Sequence, residues 1–363
     1  MSGTSLDGVD GVLVDLSGPL PRVLGHAGRG FAPELREELL ALNRNDSNEL
    51  HRSALAANAL ARVYAAVVAD LLQLCGSQTS LIRAIGAHGQ TVRHRPGEFD
   101  GTGYTLQVNN PSLLAELTGL DVVADFRSRD VAAGGQGAPL VPAFHQAVFG
   151  ALGKSVAVLN LGGIANLTLL SADQNSPVLG FDCGPGNVLL DTWCLRHRGR
   201  PFDDDGHWAA SGNVHAALLE QLLSEPYFAK PPPKSSGRDL FNPDWLARQL
   251  APWDAVAPED VQATLAELTA QCCARDLLAH GPGSAVMIAC GGGALNGHVM
   301  RRLQAHLPLC RVESSAQHGL PELQVEATAF AWLARRTVRR ETGSLKSVTG
   351  ARGARVLGAI YPA

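Results

Sequence analysis

Apolar and polar positions along this chain fall into two alternating periods. Short β-rich apolar runs, each closed by glycine or polar residues, lie at 11–16, 83–87, 120–126, 155–161, 178–182 and 284–290, and they predict strands. Stretches with helical spacing separate them, at 32–45, 46–74, 258–278, 297–307 and 325–340. The 46–74 stretch has a long Ala/Leu/Val face, with Asp46 or Ser47 placed to cap its start and Gly76 to stop it. Pro258 suits the first turn of the 258–278 helix, and the tail after Glu341 reads as irregular. Strands alternating with helices in this way specify an α/β protein.

Length and charge narrow the picture. A chain of 363 residues exceeds what one hydrophobic core usually organises, so two lobes are expected. With 45% hydrophobic and 18% charged residues the chain can bury a sizeable core. A formal net charge of −4 gives no basic surplus for a phosphate backbone, which argues against nucleic acid as a partner. The start MSGTSLDG has neither a basic nor an apolar leader region, and no long uninterrupted apolar run follows, so a cytoplasmic protein without a membrane partner is expected. Seven cysteines without a C-x-x-C pair read as reduced, mostly buried thiols.

Two segments are alike. MSGTSLDGVDGVLVDL and AVLNLGGIANLTLL each run a Gly/Ser/Thr/Asn turn into an apolar strand, which suggests two matching lobes. The common nucleotide motifs fail: Gly153-Lys154-Ser155 lacks the Walker glycine because position 148 is valine. G-x-G-x-x-G fails at Leu189 and at Asn296. What remains is a tight turn whose backbone N–H groups face phosphate oxygens, with an ordinary surface turn as the plain alternative. Cys290-Gly291-Gly292-Gly293 ends a strand and opens a helix, which suits either a flat ligand or close packing. Asp182, in GFDCGPGN, stands where a strand gives way to a glycine-rich turn, as a proton acceptor or a turn cap. His88, Thr91 and Arg129 lie in polar segments at strand ends. Asp203-Asp204-Asp205-Gly206 misses the calcium-loop spacing and reads as a solvated turn. The proline-rich 229–243 segment reads as an exposed, semi-rigid loop, either a lid or a connector.

Taken together, SGTSLDGVD, AHGQTVRHRP, the 110–145 stretch, LNLGGIANLT, GFDCGPGNVLLD, PKSSGRDLFN and ACGGGALN resemble the anhydro-N-acetylmuramic acid kinase family nearly end to end. The 110–145 stretch and GFDCGPGN are the most specific of these. The resemblance implies a two-lobed actin-like ATPase fold with duplicated ribonuclease H-like mixed sheets flanked by helices, and with ATP and sugar in the interdomain cleft. The lobes are expected at 1–125 with 330–363, and at 126–329. The implied reaction uses ATP, Mg2+ and water: the 1,6-anhydro ring of 1,6-anhydro-N-acetylmuramic acid opens and O6 is phosphorylated, in cell-wall recycling, by a homodimer.

Carried over residue by residue, Asp182 matches the general base, while Thr91, Arg129, Asp182 and Glu326 match positions around the sugar. Ser2, Gly3, Thr4, Ser5, Leu6, Asp7, Gly8 and Val9 match the first phosphate turn, with Asp7 holding hydrated magnesium. Asn160, Gly162 and Gly163 match the second turn, and Gly291, Gly292 and Gly293 the adenosine side. In one departure, the family carries about half a strand before the first turn, whereas Met1 directly precedes Ser2 here, so either the start is misassigned or that anchoring strand is shortened. A kinase of the same superfamily for an ordinary hexose or amino sugar, and an ATP-binding module without turnover, are the alternatives.

Overall fold

A computed structural model describes residues 1–363 except Thr4, Ser5, Asn45, Ser77, Gln174, Arg238, Asp239 and the side chain of Ala151. The chain folds as two units, Met1–Val148 with Gln324–Ala363, and Phe149–Leu323.

In the first unit, the helix Glu49–Cys75 turns Ala56, Leu60, Ala61, Tyr64, Val67 and Leu71 inward, the spacing of one helical face. By length and composition it is apolar enough to cross a bilayer, but that face is spent on the core. Its cap is Asn48, in left-handed backbone at φ 57°, and the Asp46 amide instead donates to the Glu49 carboxylate at 2.6 Å. Strand β1 (Gly8–Asp15) pairs antiparallel with β2 (Arg22–Gly30). The short β3 (Ile85–Gly86) leads into a hairpin of β4 (Gln90–Pro96) and β5 (Gly103–Val108). Strand β6 (Val122–Ala124) pairs parallel with β3 and antiparallel with the C-terminal strand Ala359–Tyr361. β1 and β3 do not pair with each other; between them lies a cavity of about 700 Å³ lined by Val9, Val12, Val14, Ile85, Ala331 and Ala334, among others.

The second unit has one continuous mixed sheet, ordered β11-β10-β7-β8-β9. Its strands are β7 (Val156–Leu161), β8 (Ile164–Leu170), β9 (Leu179–Pro185), β10 (Val286–Cys290) and β11 (Arg311–Ser314). β7 to β9 form an antiparallel meander, while β10 and β11 run parallel to β7, the ribonuclease H-like arrangement. The central strand β7 is buried along most of its length, and β9 forms one edge. In this sheet β7 lies between antiparallel β8 and parallel β10.

Helix Pro258–His280 is buried nearly all round, as a core helix must be, with Pro258 in its first turn. Of the seven cysteines, Cys75 is partly exposed and the other six are buried and free, as their spacing implied. The seams between units fall after Val148 and before Gln324, whereas the family resemblance led to an expectation of 125/126 and 329/330. Residues 126–148 join the first unit because Phe126 packs on Phe330, Phe144 on Trp332, and buried Asp130 accepts from Thr349 Oγ1 at 2.9 Å.

Glu267, on the buried helix, accepts from Arg302 Nε at 2.6 Å and Gln271 Nε2 at 3.2 Å, with His306 Nε2 at 2.7 Å. Burial alone would raise its pKa, but these partners outweigh that and bring it down to about 2. A carboxylate with a depressed folded-state pKa stabilises above the ordinary value of 4.5 and loses that contribution as pH falls towards 2. Glu267→Gln is therefore expected to cost about 3 kcal/mol at pH 7 and markedly less at pH 3, measured by urea unfolding.

Candidate functional site

Three glycine-rich segments converge in the second unit. Gly162 and Gly163 are the two residues between β7 and β8, a tight hairpin turn. Their carbonyls accept from the amides that open the helix Val188–Arg198: Asn187 donates to Gly162 at 2.8 Å, and Gly186 and Val188 to Gly163 at 2.9 and 3.1 Å. The Asn187 side chain also donates to Leu161 O at 2.9 Å. A Cβ on Gly186 would stand 2.3 Å from Gly162 O, so only glycine lets the two turns meet. Gly293 is closed in the same way, since a Cβ there would stand 2.6 Å from Leu161 Cβ, whereas Gly162 and Gly163 have room for one. Close packing is therefore a sufficient reason for Gly293. The two hairpin glycines have no such packing reason and leave a bare backbone turn.

Asp182 stands on the edge strand β9, at a bulge. The register shifts by one residue between the Asn166–Asp182 and Ala165–Gly184 pairs, and such bulges re-aim side chains beside functional sites. The proline-rich segment covers this edge. The Asp182 amide donates to Lys234 O at 3.1 Å, Tyr227 Oη donates to Asp182 O at 2.8 Å, and the Ser236 amide donates to Asp182 Oδ2 at 3.0 Å. The segment is therefore no free surface loop: Lys234 and Phe241 are buried within it. Burial pushes the Asp182 pKa up to about 6, against the opposing pull of the Ser236 amide and the Lys234 charge. A half-buried carboxylate poised near neutral pH is suited to proton transfer.

In the first unit, Met1 and Asp10 exchange both backbone hydrogen bonds, at 2.6 and 2.9 Å, and this pair anchors the first turn from its start. Ser2 is buried with its hydroxyl on Gln90 Oε1, and the Leu6 amide donates to Gly3 O at 3.3 Å. Leu6 is buried at φ 57°, a strained value for leucine, and its carbonyl accepts from Arg36 Nε at 3.1 Å. Asp7 is exposed, its carbonyl taken by the Phe31 amide, and Gly8 and Val9 open β1. Thr4 and Ser5 lie outside the described residues.

Thr91 is half-buried on β4 and accepts from Gln107 Nε2 at 3.3 Å. Arg129 and Glu326 are exposed, each in the first turn of a helix, Ser128–Ala132 and Val325–Val338. The guanidinium tied into this region is one that the sequence did not single out, Arg127. It donates to His88 Nε2 at 3.0 Å and Gly137 O at 2.8 Å, and it feels the charge of Glu326. Because His88 Nε2 accepts, its Nδ1 carries the proton and donates to Gly89 O at 2.7 Å. Burial holds this imidazole neutral, well below its usual pKa. Asp203 is likewise no solvated turn residue, since its carboxylate is buried on the Trp208 and Ala209 amides.

The sequence profile of the family described as anhydro-N-acetylmuramic acid kinase matches residues 1–363. The chain belongs to that family. It is similar to an anhydro-N-acetylmuramic acid kinase of Albidiferax ferrireducens, 63% identical over 381 residues, covering 100% of this chain and 98% of the relative. It is also similar to one from Variovorax paradoxus, 64% identical over 366 residues with the same coverage. The chain is thus a kinase of α/β architecture.

Asp182 is expected to cost the fold stability. A carboxyl whose folded-state pKa is raised from 3.8 to about 6 carries a penalty that develops across that interval and persists above it. Asp182→Asn, which keeps an acceptor for the Ser236 amide, should gain about 1–2 kcal/mol at pH 8 and nothing at pH 4. Calorimetric melting at the two pH values measures this.

Proposed function

We propose that this chain uses ATP to open and phosphorylate 1,6-anhydro-N-acetylmuramic acid, giving N-acetylmuramic acid 6-phosphate and ADP in cell-wall recycling. The observation that carries this reading is the Asp182 carboxylate: half-buried, held by one backbone N–H, with its pKa near 6, at the position that matches the family's base. Ionised at neutral pH, it accepts a proton from a water that attacks the anomeric carbon. The bond from that carbon to O6 breaks, and O6 takes the γ-phosphoryl group as ADP leaves.

The turns spanning Ser2 to Val9 and Asn160 to Gly163 would hold the phosphates, and Gly291 to Gly293 the adenosine side. Room at Gly162 and Gly163 for a ligand to reach the backbone supports this assignment. Exposed Asp7 fits a hydrated Mg2+ held through water, and the ion would neutralise phosphate charge. Thr91, Arg129 and Glu326 would bind the sugar, a fixed guanidinium fork suiting its lactyl carboxylate. The enzyme would act in the cytoplasm as a homodimer, on family resemblance.

Asp182→Asn should fold and leave ATP-dependent turnover of the anhydro-sugar about 10³-fold below wild type. In the wild type, kcat/KM should fall tenfold per pH unit below about pH 6, because only the ionised carboxylate accepts the proton. Turnover retained in the variant would refute Asp182 as the base. Phosphorylation of an ordinary hexose alone, or ATP binding without turnover, would refute the substrate.

A further inference from the structure

Lys234 is a buried lysine on a segment with no regular secondary structure. Its side chain is 2% exposed, and its ammonium lies 3.0 Å from the Asp276 carboxylate of helix Pro258–His280. It also stands 5.4 Å from the Tyr227 ring centroid and 5.9 Å from that of Phe181. So deep a side chain cannot reach substrate. A buried ion pair is, moreover, a poor source of net stability, because desolvating both charges offsets their attraction. What the pair does fix is place. Lys234 gives its carbonyl to the Asp182 amide, and two residues on, the Ser236 amide meets the Asp182 carboxylate. Tyr227, whose ring faces the same ammonium, holds the Asp182 carbonyl.

We infer that the Lys234–Asp276 ion pair is a clasp that positions the proline-rich segment on Asp182, and that Lys234 is thereby a positioning residue for the catalytic carboxylate. The clasp acts in two ways. It delivers the Ser236 N–H to Oδ2, and it brings a positive charge behind a carboxylate that burial would otherwise drive to still higher pKa. Helix Pro258–His280 supplies the fixed end. Seven residues before Asp276, the Thr269 hydroxyl lies 3.1 Å from the Pro185 and Gly186 carbonyls. One helix face therefore supports the strand that bears Asp182 and the segment that clasps it.

The inference rests on Asp182 as the base only for its kinetic consequence, and the test separates the two. Lys234→Met alone strands the Asp276 carboxylate and is liable to unfold, so the decisive variant is Lys234→Met with Asp276→Leu, which removes both buried charges. In protein labelled with carboxyl-13C aspartate, the Asp182 signal is assigned by its loss in Asp182→Asn and titrated in wild type and double variant. Its midpoint should rise by about one pH unit in the double variant. The acid limb of kcat/KM for the anhydro-sugar should move with it, so that kcat/KM falls about fivefold at pH 6 but less than twofold at pH 8, with KM for ATP unchanged. A midpoint unmoved in the double variant overturns the clasp whatever the activity does. A shifted midpoint without a shifted acid limb upholds the clasp and overturns Asp182 as the base instead.

Discussion

Removing the Asp182 carboxylate from water is the constraint on which the site depends. Burial favours its neutral form, and the base proposed here has to be ionised to accept a proton. The Ser236 amide and the Lys234 charge hold the balance near pH 6 rather than higher, so the group is largely ionised at neutral pH and still basic enough to take a proton. Both influences come from one proline-rich segment. That segment stays in place because it covers the edge of β9 and buries Lys234 on Asp276.

The second unit is arranged around this requirement. Helix Pro258–His280 carries buried polar groups that an apolar core would not need, and three of them tie it to its surroundings. Glu267 ties the helix to Arg302 and His306, Thr269 lies beneath the 185–186 carbonyls, and Asp276 meets Lys234. The bulge on β9 and the mutual contact of Gly186 with the 162–163 turn bring the carboxylate and the bare glycine turn onto the same small stretch of backbone. The packing that makes the core rigid also sets the geometry around the Asp182 carboxylate.

Much of this is legible in the sequence where it depends on local pattern. Apolar runs bounded by glycine give the 156–161 and 286–290 strands, and helical spacing gives the 258–280 and 325–338 helices to within two residues at either end. Strand β2 and the β4–β5 hairpin escape notice because RVLGHAGRG and QTVRHRP carry too few apolar residues, their strands being half-exposed. Proline and serine make 229–243 look like a surface loop, since composition does not disclose that Lys234 finds an acid 42 residues away on another element. Arg127 and Arg129 sit two apart in FRSRD, and only packing against His88 distinguishes them. Asp182, by contrast, is singled out in the sequence by its strand-to-turn position and by family resemblance; its raised pKa depends on neighbours distant in sequence.

The measurement that bears most directly on the central claim is the mass spectrum of product formed from 1,6-anhydro-N-acetylmuramic acid, ATP and magnesium in oxygen-18 water. Unlabelled product held in the same water corrects for exchange at the anomeric carbon. The account predicts one heavy oxygen on that carbon and none in the phosphoryl group, because water activated by Asp182 opens the ring while O6 receives the phosphate. Phosphorylated product whose anomeric oxygen is no heavier than in the exchange control, or label in the phosphoryl group, would contradict it.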